Sequence, residues 1–179
     1  MERNACLALI STILAVISPA VAGTGAIAAP LKAAVFGFEL VDTSEEGQLT
    51  GERPDQTRRV ALASTELRRL LDASGQIAEV DLAPQAAAIR KGSPLYRCNG
   101  CAADIARDLG AEVSIIGLVQ KTSNLILSFR VEVTDVRSGR MLRGGQVDIR
   151  GNNDEMWLRG VRFLVKDRLT DPPLAAPAP

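Results

Sequence analysis

Residues Ala111 to Gln120, AEVSIIGLVQ, form a run that is apolar on both faces at its centre. Such a segment belongs inside a sheet that other layers cover on two sides. A meander comes next in the chain. NLILSFRVEVTDV alternates, with Leu125, Leu127, Phe129, Val131 and Val133 facing one way and Ser128, Arg130, Glu132 and Thr134 the other. The turn RSGR leads to MLRGGQVDIR, a third consecutive strand with a bulge expected at Gly144-Gly145.

Upstream, KAAVFGFEL (Lys32 to Leu40) is rich in aromatic and β-branched residues and reads as a buried strand. The polar stretch Val41 to Gln56, punctuated by Gly47, Gly51 and Pro54, reads as a long loop. TRRVALASTELRRLLDAS has helical period. Val60, Ala63, Leu67, Leu70 and Leu71 share one face, and Arg58, Arg59, Glu66 and Arg69 lie on the other. Gly75 suits the left-handed position that ends a helix. QIAEVDL is a second strand, and a short helix starts at Pro84. AADIARDLG is a helix closed by Gly110. The last helix opens at NNDE, where Asn152 and Glu155 have capping-box spacing, and it carries Trp157, Val161, Leu164 and Val165 on an apolar stripe. The order β-α-β-α-α-β-β-β-α predicts an α/β fold. It is a single domain with a mixed sheet of about five strands and helices packed on it.

The ends set the expected compartment. MERN precedes the uncharged apolar run ACLALISTILAVISPAVA, followed by small-residue sites at Ala20-Val21-Ala22 and Ala26-Ile27-Ala28. Residues 1–28 thus read as a secretory signal peptide cut after Ala22 or Ala28, which removes Cys6 and directs the chain to the periplasm. The remainder, about 150 residues, is enough for one domain with a core. No later segment is apolar enough to span a bilayer. Residues 171–179, DPPLAAPAP, form a Pro/Ala-rich tail expected to be disordered or extended.

Charges balance, with 21 Lys+Arg and 21 Asp+Glu, which argues against nucleic acid or an anionic membrane as the main partner. The chain has no histidine. That excludes a Ser-His-Asp or Cys-His nucleophile within it and removes the commonest metal ligand. No catalytic residue, cofactor site or metal ligand set is assigned.

Cys98 and Cys101, in LYRCNGC, stand at the entry to a helix. In an exported chain they read as a disulfide. A redox couple is a second reading, since a thiolate at a helix N-terminus has a depressed pKa. A metal site is a third, and would need carboxylates as its other ligands. Arg159, Arg162 and Lys166 share a face of the last helix, either solvated or docking an acidic partner. Glu45 and Glu46 in the long loop could contact a partner or a cation, or be solvated. Trp157 is assigned to the core before any binding role.

Taken in order, AAVFGFEL, LRRLLDASG, CAADIARDLGAEVSIIGLVQ and RVEVTDVRSGRML resemble the TolB amino-terminal domain and related CsgG-like periplasmic domains. Asp135, Ser138 and Gly139 match the hairpin turn of that pattern. SNLIL (Ser123 to Leu127) and DIRGNNDEMW (Asp148 to Trp157) are similar to segments of a family of uncharacterised predicted secreted bacterial proteins. The resemblance covers residues 32–170 and implies a periplasmic α/β domain that binds proteins or envelope components, with no enzyme activity. TolB continues into a propeller and CsgG proteins carry a lipid-anchored cysteine and pore-forming strands, features not seen in this chain. The expected function is therefore non-catalytic protein binding in the envelope, through the meander edge, the long loop or the last helix. The alternative is a thiol–disulfide accessory protein of an exported redox enzyme, such as a quinoprotein dehydrogenase, using Cys98 and Cys101.

Overall fold

In the computed structural model, which describes residues 29–175, β1 (Leu31–Asp42) leads through α1 (Glu45–Thr50) and α2 (Pro54–Ala73) to β2 (Ile77–Glu79). Next come α3 (Ala86–Gly92), α4 (Cys101–Asp108) and the meander β3 (Val113–Lys121), β4 (Ile126–Asp135) and β5 (Met141–Arg150). α5 (Asp154–Leu164) closes the order and runs into a π-helical turn, Val165–Leu169. The strands form one mixed sheet ordered β2-β1-β3-β4-β5. β1 is parallel to β2 and β3, and the two later pairings are antiparallel. Residues 1–28, read above as a signal peptide, lie outside the described residues. Among the described residues no helix is long and apolar enough to cross a membrane.

The α/β architecture read from the alternating pattern is the one found, with α1 as an addition. Glycines 47 and 51 suggested continuous loop there. Instead the Ser44 hydroxyl caps the helix by accepting from Gly47 N at 3.1 Å. Asp42 occupies the space a Cβ at position 47 would need, so glycine is what lets the helix sit against the strand end.

α2 and α5 cover one face of the sheet. Ala33, Val35 and Phe38 of β1, Val113, Ile115 and Val119 of β3, and Leu127, Phe129, Val131 and Val133 of β4 meet Leu67, Leu71, Trp157, Val161 and Leu164 there. Phe129 stands edge-on between Phe38 and Trp157, with ring centroids 5.7 and 5.1 Å away, a favourable arrangement of aromatic quadrupoles. Gly117 makes room for Phe38, whose ring would collide with any side chain at that position. A bulge in β1 between Val35 and Gly37 would leave backbone groups without ladder partners. α2 supplies them: Ser64 Oγ accepts from Phe38 N at 2.9 Å, and Arg68 Nη2 donates to the Val35 carbonyl at 3.0 Å.

Four details differ from the sequence reading. The β4–β5 bulge falls at Leu142, because Val133 pairs with Arg143 and Thr134 with Met141. Gly144 and Gly145 pair regularly with Glu132 and Val131; Gly145 is bare because Arg168 and Leu164 pack directly over it. Leu125 lies in the turn before β4 and is 69% exposed, off the buried stripe. Asn153 rather than Asn152 caps α5, accepting from Met156 N at 3.0 Å, while Asn152 Oδ1 accepts the Trp157 indole N–H at 2.9 Å. Glu66, placed on the solvent face of α2, is only 8% exposed.

The second face is covered unevenly. α4 packs over β1 and β3, burying Ala34, Ala106, Ala111 and Val136 with Phe36, Val80 and Leu82 beside them. Over β4 and β5 that face stays open, with Arg130, Gln146, Asp148 and Arg150 exposed.

Candidate functional site

The open face ends against a wall built by the cysteine segment. The turn Leu95–Arg97 is held to β1 by Glu39, whose carboxylate accepts from Leu95 N at 2.8 Å and Tyr96 N at 3.0 Å. Leu95 is buried beneath it. Cys98 and Cys101 are joined as a disulfide, Cα atoms 5.7 Å apart, and Cys101 is the first residue of α4. Gly100 between them has φ +91°, a left-handed conformation that glycine adopts without strain. The staple thus fixes the entry to α4 and the position of Tyr96 and Arg97. Between this wall and the sheet lies a cleft of about 500 Å³. Ile116 and Leu118 of β3 form its floor, and Arg130 and Glu132 of β4 its far side. The Arg97 guanidinium stacks on the Tyr96 ring, 5.4 Å from its centroid, and Arg130 donates to Gln146 Oε1 at 3.2 Å.

This lining suits a polypeptide. An aromatic ring, two arginines and a short apolar floor are the groups that anchor protein contacts. Among the described residues no three His, Cys, Asp or Glu side chains are placed to hold a metal. Replacing Cys98 and Cys101 by serine is expected to leave the fold intact and lower stability by about 2 kcal/mol, as suits so short a loop. Thermal unfolding of oxidised wild type against the double variant measures it.

The other sequence-selected residues fall elsewhere. Glu45 is exposed on the first turn of α1. Glu46 turns inward to Lys121, which is 0% exposed, with Nζ 3.2 Å from Glu46 Oε2 and 2.9 Å from Asp42 Oδ2. Burial pushes the Asp42 carboxyl up, but hydrogen bonds from Ser44 and Lys121 outweigh it and hold it below the usual range. Glu46 also sits below its usual range, through hydrogen bonds from Asn124 and Lys121, and it pairs with Arg53.

Of the basic residues read on the last helix, Arg159 of α5 and Lys166 of the π-helical turn are exposed, whereas Arg162 pairs with Glu66 at 2.8 Å. Arg69 binds the same carboxylate at 2.7 Å, and these bonds hold Glu66 at about 2 against burial. A carboxylate whose pKa is depressed on folding stabilises the native state above its unfolded pKa, and that contribution disappears as pH falls through the folded value. Denaturant midpoints should therefore fall between about pH 5 and 2. Glu66→Gln should flatten that slope and cost about 1 to 2 kcal/mol at pH 7, since both guanidinium groups are more than half exposed and screened.

Tyr96, Arg97, Arg130 and Lys121 were not singled out in the sequence. Tyr96 is the only tyrosine, a signal that was present, whereas Arg130 looked like any outward residue of an alternating strand. The described start of the tail, residues 171–175, lies against the domain: Arg143 donates to the Pro172 and Pro173 carbonyls, and Leu174 N donates to Gln76 Oε1.

Among solved structures, the LpoB C-terminal domain from Escherichia coli is similar at 18% identity and TM-score 0.49, covering 72% of this chain and 88% of that one. Lipoprotein GNA1162 from Neisseria meningitidis is similar at 14% identity and TM-score 0.48, covering 77% and 96%. TolB from Acinetobacter baumannii is more distant, at 13% identity and TM-score 0.39, covering 77% of this chain and 29% of that one, so the resemblance to TolB is weak and partial. No curated protein matches the chain. Residues 31–169 match the model of DUF3280, described as "Protein of unknown function (DUF2380)", and the chain belongs to that family.

Proposed function

We propose that the chain is an exported, non-catalytic domain that binds a partner protein of the bacterial envelope, with residues 1–28 as its signal and the folded domain in the periplasm. The observation that carries this reading is the cleft between the disulfide-fixed turn and the uncovered face of β3 and β4. Its walls are preorganised: the turn is anchored by Glu39 and the cysteine pair, and Arg97 is stacked on Tyr96. Little side-chain freedom is then lost on docking. The disulfide itself suits an oxidising compartment.

The test uses affinity capture from periplasmic extract with the mature chain. Tyr96→Ala combined with Arg130→Glu should lower recovery of the bound partner at least tenfold, with unfolding midpoint unchanged. Equal recovery by wild type and variant would remove the cleft from the account.

One observation favours the redox accessory as second reading. Both cysteines are half-buried rather than sealed, and Cys101 sits on the first turn of α4. A cysteine in that place is suited to thiol–disulfide exchange. A reduction potential below about −300 mV would mark a structural staple, and one near −120 to −180 mV an exchanging pair.

A further inference from the structure

The charges around the cleft beside the disulfide are unbalanced. Arg97 and Arg130 line it as cations, and Glu132 is the one carboxylate among its lining side chains. Both arginines are exposed, and among the described residues neither is paired with a carboxylate. Arg97 lies on the Tyr96 ring, and Arg130 donates to the Gln146 side chain. Arg53, Arg59 and Arg68 line other cavities, and each is held by a carboxylate of its own surroundings. The backbone around the cleft has the same sign as the arginines. Gly100, Ala102 and Ala103 at the start of α4 line it, and no side chain caps that helix end. Such an end carries partial positive charge and amide donors without helical partners. At the rim, Gly139 adjoins the exposed Arg140. Asp135, at the base of the same turn, is used locally, accepting from the Ser138 hydroxyl and the Arg137 amide.

We infer that the cleft takes an acidic segment of the partner protein. An Asp or Glu carboxylate faces Arg97 and Arg130, and an apolar neighbour rests on Ile116 and Leu118. This names the chemistry of the docked partner and rests on the protein-binding reading of the same cleft. Guanidinium groups suit the role because their parallel N–H donors match the two oxygens of a carboxylate. Glu132 opposes such a ligand, so its removal should act with the opposite sign to removal of the arginines.

The test is titration of the isotope-labelled mature chain with the capped pentapeptide Val-Leu-Asp-Leu-Val, followed by nuclear magnetic resonance. Counterparts with Asn or Lys at the centre serve as controls. The Asp peptide should give saturable shifts at the backbone amides of Ala102, Ala103, Ile116 and Leu118. It should bind about fivefold tighter than the Asn peptide, the scale of a partly screened charge-assisted contact, with the Lys peptide weaker still. Arg97→Gln combined with Arg130→Gln should abolish the preference for Asp over Asn. Glu132→Gln should tighten binding of the Asp peptide. Four results overturn the inference: no saturable shift at the cleft with the Asp peptide, equal affinity for the Asp and Asn peptides, a preference that survives the double substitution, or weaker binding by Glu132→Gln. If a photo-activatable residue at position 96 still crosslinks a partner in cells, the failure is of the acidic chemistry alone. Absence of that crosslink removes the docking reading with it.

Discussion

Lys121→Met is expected to lower the unfolding free energy by about 3 kcal/mol, more than an ion pair on the surface could account for. Lys121 Nζ is fully buried between Asp42 and Glu46. Removing the cation leaves Asp42 without a counter-charge beside Glu46, which keeps only its exposed partner Arg53. Both carboxylates are themselves partly exposed, so some of the loss is recovered by hydration, which places the cost at the lower end for a broken buried pair. The damage should be local first. α1 has no buried residue of its own and is held by the Ser44 cap and the Lys121 link, so its amides should lose hydrogen-exchange protection before the sheet does. Adding Asp42→Asn should restore part of the stability, because the stranded charge is then gone. Denaturant titration of the single and double variants checks both statements. A loss under about 1 kcal/mol would mean that the pair is solvated in solution.

Trp157→Ala is expected to cost about 4 kcal/mol, the usual scale for emptying an aromatic site in a packed core. Trp157 is 0% exposed, packs edge-on against Phe129 and donates its indole N–H to Asn152. Loss of the ring leaves a cavity and an orphaned Asn152 carbonyl together. Because it is the only tryptophan, wild-type fluorescence should be blue-shifted and should report global unfolding, coinciding with the circular-dichroism transition. The variant must be followed by circular dichroism alone.

The strands were legible because burial follows alternation. Leu127, Phe129, Val131 and Val133 of β4 are all buried, as period-two spacing requires. The helix faces were legible for the same reason, with Ala63, Leu67 and Leu71 inward. The features that stayed hidden depend on contacts between distant parts of the chain. α1 is fixed in part by Lys121, 75 positions from Glu46, and no local pattern carries that. Glu66 looks like a surface residue until Arg162, 96 positions away, is brought beside it. The glycine pair at 144 and 145 suggested a bulge, yet Gly145 answers to a helix packed on top of it. The pairing of Cys98 with Cys101 was legible, but the cleft it borders was not. That cleft exists because α4 stops short of β4 and β5, a fact of tertiary placement and not of spacing.

The most direct test of the account places a photo-activatable residue at position 96, 130 or 159 in cells expressing the full chain. The first two positions face the cleft and the third lies on the exposed side of α5. The account predicts one discrete crosslinked partner from positions 96 and 130 and none from 159. Crosslinks from 159 alone, or none from the cleft, would contradict it.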